Sequence, residues 1–265
     1  MKVGIIGSGN MASALTKGFL KSGVVGTKDL CISDASAECL GKWADFGVST
    51  TTDNVAVCNV SDLVIYAVKP NILPFVMKET ADAVKDKLVV SIAAGVTLET
   101  LHKSLGEDVK IIRAMPNTPA QVGCGMTVLS PGINIGDDEI KIAQQLFEGA
   151  GSVAILDEKY MNAAIALHGS SPAYIYMLID AMADSGVKYG IPKDVSLLLA
   201  SKAVEGSAKM VLETKQHPQA LKDAVCSPGG TTIAAVLELA NSGFSSAVAK
   251  AIDACVKKAE EMSKN

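Results

Sequence analysis

The start of the chain constrains it most. Lys2-Val3-Gly4-Ile5-Ile6 is a short apolar run, and Gly7-Ser8-Gly9-Asn10-Met11-Ala12 follows it directly. The run reads as a buried strand, and the GxGxxA pattern as the turn from that strand into a helix. Gly7 makes the tight turn, Gly9 leaves room for a pyrophosphate against the backbone, and Ala12 lets helix and sheet lie close. The helix start, with Ser8, Asn10 and Met11, turns N–H groups and the positive end of a dipole towards phosphates. Motif and flanks together predict dinucleotide binding rather than a merely structural glycine turn.

The same rhythm of strand and helix continues to about residue 158. Strands are predicted at Lys2–Ile6, Leu30–Ser33, Asp62–Val68, Leu88–Ala93, Val109–Ala114, Met126–Leu129 and Ser152–Leu156. Helices are predicted between most of them, at Met11–Lys21, Ala35–Phe46, Ile72–Val84, Thr97–Leu105 and Asp137–Glu148. The strands are near-continuous Val/Ile/Leu runs, as expected for a parallel sheet covered by helices on both faces. Beyond Glu158 the strand signals stop. Long apolar stretches at helical spacing follow: Tyr160–His168, Pro172–Tyr189, Lys193–Glu213, Thr231–Ala240 and Ser245–Ser263. The expected fold class is an α/β Rossmann-type doubly wound sheet followed by an all-α dimerisation domain. The boundaries are 1–158 for the dinucleotide-binding domain and 159–265 for the helical one, since 265 residues suit two domains of about 150. The helix over Ala173–Ala183 is apolar almost all round, so part of its surface is expected to meet a second copy.

Composition removes several classes of function. A net charge of −4 lacks the basic stripe that a nucleic-acid binder needs. Six cysteines, at Cys31, Cys39, Cys58, Cys124, Cys226 and Cys255, form no CxxC pair, so neither a metal site nor a disulfide framework is expected. Reduced thiols point to the cytoplasm. No run approaches the ~18 apolar residues of a membrane span, and Val3–Ile6 is too short for the core of a secretion signal. A soluble protein without membrane partners is expected.

Further candidate residues fall at strand ends. Asp34, just after the second strand, stands where an acid bonds the adenosine ribose, or else it caps the next helix. Arg113 is the one arginine, so a 2′-phosphate would have to rely on Ser33, Ser36, backbone N–H groups or Lys42. This chemistry leans towards NADH without excluding NADPH. Ala67-Val68-Lys69-Pro70 and Ala93-Ala94-Gly95 end two further strands, where ligands of open α/β sheets bind. Asn117 and Thr118 sit at the tip of a proline-fixed loop. In the helical half, Ser227-Pro228-Gly229-Gly230-Thr231-Thr232 runs into a helix, a backbone cradle suited to a carboxylate. Thr231 and Thr232 are helix caps or donors to a substrate.

Gly-Ser-Gly-Asn-Met, Ala-Val-Lys-Pro, Ala-Ala-Gly, Met-Pro-Asn-Thr-Pro, Ser-Pro-Ala-Tyr and Ser-Pro-Gly-Gly-Thr-Thr-Ile occur here in order. With them the whole chain resembles the Δ1-pyrroline-5-carboxylate reductase family, the last enzymes of proline biosynthesis. The resemblance implies NAD(P)H reducing the cyclic imine acid to L-proline, in a homodimer or larger homo-oligomer. It implies that the substrate carboxylate sits on Ser227 and the Gly229–Thr232 backbone, with the Thr232 hydroxyl near the ring nitrogen and Glu158 lining the site. It adds Asn54 to the cofactor set. The family usually prefers NADPH, a habit from which Asp34 departs. Tyr160–Val187 contains no Lys or Arg, against the lysine that related 3-hydroxyacid dehydrogenases place there. A catalytically silent dinucleotide sensor is the alternative from another class. His168 is read as a packed or surface histidine before a proton donor.

Overall fold

The computed structural model describes residues 1–263. β1 (Val3–Ile6) is buried at every position. It pairs in parallel with β2 (Leu30–Ser33) on one side and β4 (Leu63–Tyr66) on the other. β3 (Ser49–Thr51) adds to β2, and β5 (Leu88–Ser91) and β6 (Lys110–Met115) continue beyond β4, all in parallel. β7 (Gly125–Pro131) and β8 (Gly151–Ile155) complete an eight-stranded sheet of order β3-β2-β1-β4-β5-β6-β7-β8.

Alternate strand residues feed two separate cores. Val3, Ile5, Leu63, Ile65, Val90 and Ile112 face α1 (Asn10–Ser22), α2 (Ala37–Ala44) and α6 (Asp137–Glu148). On that face Phe19 and Phe147 meet edge to face at 5.7 Å. Ile6, Val64, Tyr66, Val89 and Ile111 face α3 (Asn54–Val60), α4 (Leu73–Thr80) and α5 (Leu98–Leu105). Burial on both faces explains why the strand sequences are apolar throughout.

Three features differ from the sequence reading. The sheet is mixed, because β7 runs antiparallel to β6; the connection 116–124 is too short for the crossover that parallel pairing requires. β3 and α3 were not anticipated: β3 is a three-residue edge strand of Ser and Thr, too short and polar to announce itself. α10 (Pro218–Val225) was also unforeseen.

By compactness the chain divides into Met1–Ser170 together with the segment from Cys255, and Ser171–Ala254. This division lies later than 158/159 because α7 (Met161–Ala164) stays with the sheet: Met161 and Ala164 pack on Met115 and Val128. The second unit is built from α8 (Ser171–Lys188), α9 (Lys193–Thr214), α10, α11 (Thr231–Asn241) and the first part of α12 (Phe244–Ser263). The rest of α12 belongs to the first unit. There Cys255 Sγ donates to Ser170 Oγ (3.3 Å), Ser263 Oγ donates to Asn162 Oδ1 (3.4 Å), and Met262 lies over Gly95. No single helix among the described residues is long and apolar enough to cross a membrane.

Candidate functional site

The turn from β1 to α1 carries its glycines for clear steric reasons. Gly7 has φ +101°, and a β-carbon there would lie 2.7 Å from the Ala67 carbonyl oxygen, so β4 closes against the turn only with glycine present. Gly9 caps α1 with no side-chain hydrogen bond, and a β-carbon there would meet nothing within 4 Å. The N-cap thus supplies no side-chain acceptor to the first-turn N–H groups of α1, and the space beside Gly9 is open. That is the geometry a pyrophosphate requires.

Asp34 reaches into this turn. Its Oδ2 accepts from Ser8 N–H (2.7 Å) and from the Ser8 hydroxyl (2.9 Å), while Oδ1 accepts from Ser36 N–H (2.9 Å). Burial alone would raise the Asp34 carboxyl. The hydrogen bonds from Ser36 and Ser8 and the charge of Lys42 outweigh it and hold the group below its ordinary value. The helix cap that Asp34 might have supplied comes from Ser36, whose Oγ accepts from Cys39 N–H. Ser33 is fully buried and donates to Asn54 Oδ1 (2.7 Å), and Asn54 donates in turn to Glu79.

Lys69-Pro70 and Ala94-Gly95 end β4 and β5 side by side; Pro70, Ala94, Gly95 and Met262 line one cavity of about 490 Å³. Asn117 is buried, and both ends of its amide are engaged: Oδ1 accepts from Met126 N–H (2.8 Å) and Nδ2 donates to the His168 carbonyl (2.9 Å). Both ring nitrogens of His168 face carbonyl oxygens, of Ala164 at 2.6 Å and Met115 at 2.9 Å. Asn117 and His168 together brace the exit of β6.

Glu158 lies in the first unit with an unforeseen partner. Its Oε1 accepts from Arg113 Nη1 and from Leu98 N–H at the start of α5, both at 2.8 Å. The Arg113 side chain is 3% exposed and that of Glu158 27%. The single arginine is thus committed to the interior of the sheet.

In the second unit, Gly229 has φ +69° and Gly230 caps α11 without a side-chain bond. A β-carbon at Gly230 would collide with Ser227 Oγ. Thr231 and Thr232 are the first two residues of α11, not its cap, and the Gly230 cap supplies no side-chain acceptor to the first-turn N–H groups. No group of three His, Cys, Asp or Glu among the described residues is placed to hold a metal.

Comparison with known proteins bears on this geometry along the full length of the chain. It is 44% identical over 266 residues to the pyrroline-5-carboxylate reductase of Escherichia coli K12, covering 100% of this chain and 99% of that one. The chain belongs to the pyrroline-5-carboxylate reductase family. Residues 158–262 match the family described as pyrroline-5-carboxylate reductase dimerisation, and residues 2–95 match the coenzyme F420-dependent NADP oxidoreductases. The solved pyrroline-5-carboxylate reductase of Coxiella burnetii superposes with a TM-score of 0.94 at 34% identity, over 100% of this chain and 99% of that one. The pyrroline carboxylate reductase of Plasmodium falciparum, solved with NADP bound, superposes with a TM-score of 0.90 at 30% identity, over 99% and 98% of the two chains.

The first unit of this reductase therefore brings together most of the residues named for the cofactor. Gly7, Ser8, Gly9, Asn10 and Met11 form the turn, with Ser33, Asp34, Ser36 and Asn54 on its β2 side. Ala67, Val68, Lys69, Pro70, Ala94 and Gly95 follow at the next two strand ends. Ser227, Gly229, Gly230, Thr231 and Thr232 form one loop in the second unit, and Glu158 belongs to the first. Sequence reasoning missed the Arg113–Glu158 pair. The one available signal was that a lone arginine at the centre of an apolar strand must find a buried carboxylate.

Proposed function

We infer that this chain reduces 1-pyrroline-5-carboxylate to L-proline, in the last step of proline biosynthesis. The observation that carries the reading is full-length identity to the reductases joined to an uncapped, glycine-built start of α11. When bound, NAD(P)H supplies the hydride that is added to the C=N carbon. The glycine turn and the α1 N-terminus would hold its pyrophosphate, and the strand ends at Lys69–Pro70 and Ala94–Gly95 would hold the rest of it.

A protonated cyclic imine is already electrophilic, so the chain's task is mainly positioning. The first-turn N–H groups of α11, with Ser227 and Thr231 beside them, take the substrate carboxylate, where a helix N-terminus favours negative charge. The Thr232 hydroxyl, freed from capping, holds the ring nitrogen. Glu158, by fixing Leu98 N–H, anchors the end of the segment Ala94–Thr97 that leads from β5 into α5. The enzyme works as a homodimer or a larger ring of dimers, supported by the apolar side chains its helical unit exposes, such as Met177 (74%) and Leu212 (74%). Six free cysteines support a reducing cytoplasm as its location.

The test is an absorbance assay at 340 nm (roughly the reduced-nicotinamide band) with pyrroline-5-carboxylate and either NADPH or NADH. Oxidation that depends on the imine acid and yields proline supports the reading. Tight dinucleotide binding without turnover would replace it with a sensor.

A further inference from the structure

The β2 side of the glycine turn holds a lysine that the motif does not contain. Lys42, on the exposed face of α2, extends back to the turn: its Nζ lies 3.1 Å from Ser13 Oγ and 3.4 Å from the Ser8 carbonyl oxygen. Its neighbour Trp43 is fully buried and pins α2 to the sheet. Lys42 has no carboxylate within ion-pair distance among the described residues, although its charge is felt at Asp34. Its hydrogen bonds are to neutral oxygens, and it lies 5.7 Å from the centroid of the Trp43 ring; none of these is an ion pair, and an anion readily outcompetes them.

The other candidates for an extra phosphate on the adenosine ribose bring no free charge. Arg113 is buried on β6 with Glu158. The Ser33 hydroxyl already donates to Asn54, and Ser36 Oγ, which accepts from Cys39 N–H at the α2 cap, keeps a proton to donate but carries no charge. Asp34 has turned both carboxylate oxygens inward onto Ser8 and Ser36. That leaves its negative charge near the ribose position, to be offset before a second anion can approach. Lys42 is the cation positioned to do so.

We propose that Lys42 is the specificity-determining residue that admits a 2′-phosphate, giving this chain its use of NADPH despite Asp34. The proposal rests on the adenosine end of the cofactor lying over the glycine turn and Asp34, as inferred above. A lysine on a flexible stem serves here as a point charge, reaching an anion of nearly two negative charges without a fixed fork of donors.

Titration calorimetry on the full-length protein tests this without turnover, using adenosine 2′,5′-bisphosphate and 5′-AMP, which differ only in the 2′-phosphate. Lys42→Met should weaken the bisphosphate at least tenfold and AMP less than twofold, and Lys42→Arg should restore the bisphosphate to within about threefold. Gly7→Ala, which strikes the shared turn, is the comparison. If Gly7→Ala abolishes binding of both ligands while Lys42→Met leaves their ratio within twofold, the Lys42 assignment alone is overturned. If Gly7→Ala binds both ligands as the wild type does, the placement of the cofactor falls with it.

Discussion

Removing Glu158 should destabilise the protein far more than removing its partner. In Glu158→Ala the Arg113 guanidinium, 3% exposed with Glu158 in place, loses its one ion-pair acceptor among the described residues. Nε and Nη2 of Arg113 already have no hydrogen-bond partner among the described residues, so no second acceptor stands ready for the charge. An uncompensated buried charge of this kind costs about 3–5 kcal/mol. Leu98 N–H also loses its acceptor, a loss of about 1 kcal/mol that falls within the same range. For a unit of this size each kcal/mol lowers Tm by roughly 2–4 °C, so a fall of roughly 6–12 °C is expected at the lower end of the range. Arg113→Met behaves differently. It removes the buried charge altogether and fills much of the same volume, while Glu158, at 27% exposure, keeps Leu98 N–H and contact with water. That change should cost about 1–2 kcal/mol or less. Thermal unfolding at neutral pH and fixed protein concentration, with the double variant closing the cycle, measures both and their coupling. Should Glu158→Ala lose less than about 1 kcal/mol, or Arg113→Met prove the more damaging, the buried-charge argument is refuted.

Three further outcomes are expected. Thr232→Ala should lower kcat/KM by about 10- to 1000-fold with cofactor affinity almost unchanged, the range for losing one positioned hydrogen bond; kinetics equal to wild type would leave the hydroxyl without a role in the reaction. The Asp34 carboxyl is held below its ordinary value of 3.8, so its contribution to stability is complete above that value and is lost as pH falls through the lower, folded one. Asp34→Asn should accordingly flatten acid unfolding below about pH 4, and unchanged acid curves would count against the Ser8 and Ser36 contacts. A double change of Met177→Glu and Leu212→Glu on the exposed face of the helical unit should shift sedimentation to a monomer, whereas retained assembly would place the interface elsewhere.

What the sequence revealed was local. The strand, the glycine turn and the helix from Lys2 to Met11 are contiguous, and steric demands on Gly7 and Gly9 are visible in the residue types alone. The same holds for Ser227–Thr232, where adjacent glycines precede an apolar helix. Contacts between distant residues stayed hidden. Ser8 and Asp34 were each named for the cofactor, yet nothing in their spacing shows that one carboxylate ties down the other's N–H and hydroxyl. The sequence alone makes Asn117 a loop-tip donor, and its burial between Met126 and His168 depends on β7 turning back antiparallel. Capping illustrates the limit well. Asp34, Thr231 and Thr232 all suit an N-cap by type, but the backbone gives that position to Ser36 and Gly230, and only φ and ψ decide between neighbours.

The division of α12 between the two units has a consequence for synthesis. The sheet-bearing unit is discontinuous: its last pieces, Cys255 against Ser170, Met262 over Gly95 and Ser263 beside Asn162, are translated after the whole helical unit. At about 5–20 residues per second the ribosome needs roughly 4–17 s to make Ser171–Ala254. For that interval the nascent nucleotide fold has its strands but lacks the segment that packs over the Ala94–Gly95 turn. Release of the end of α12 from the exit tunnel, rather than completion of the sheet, is the event that lets this unit close.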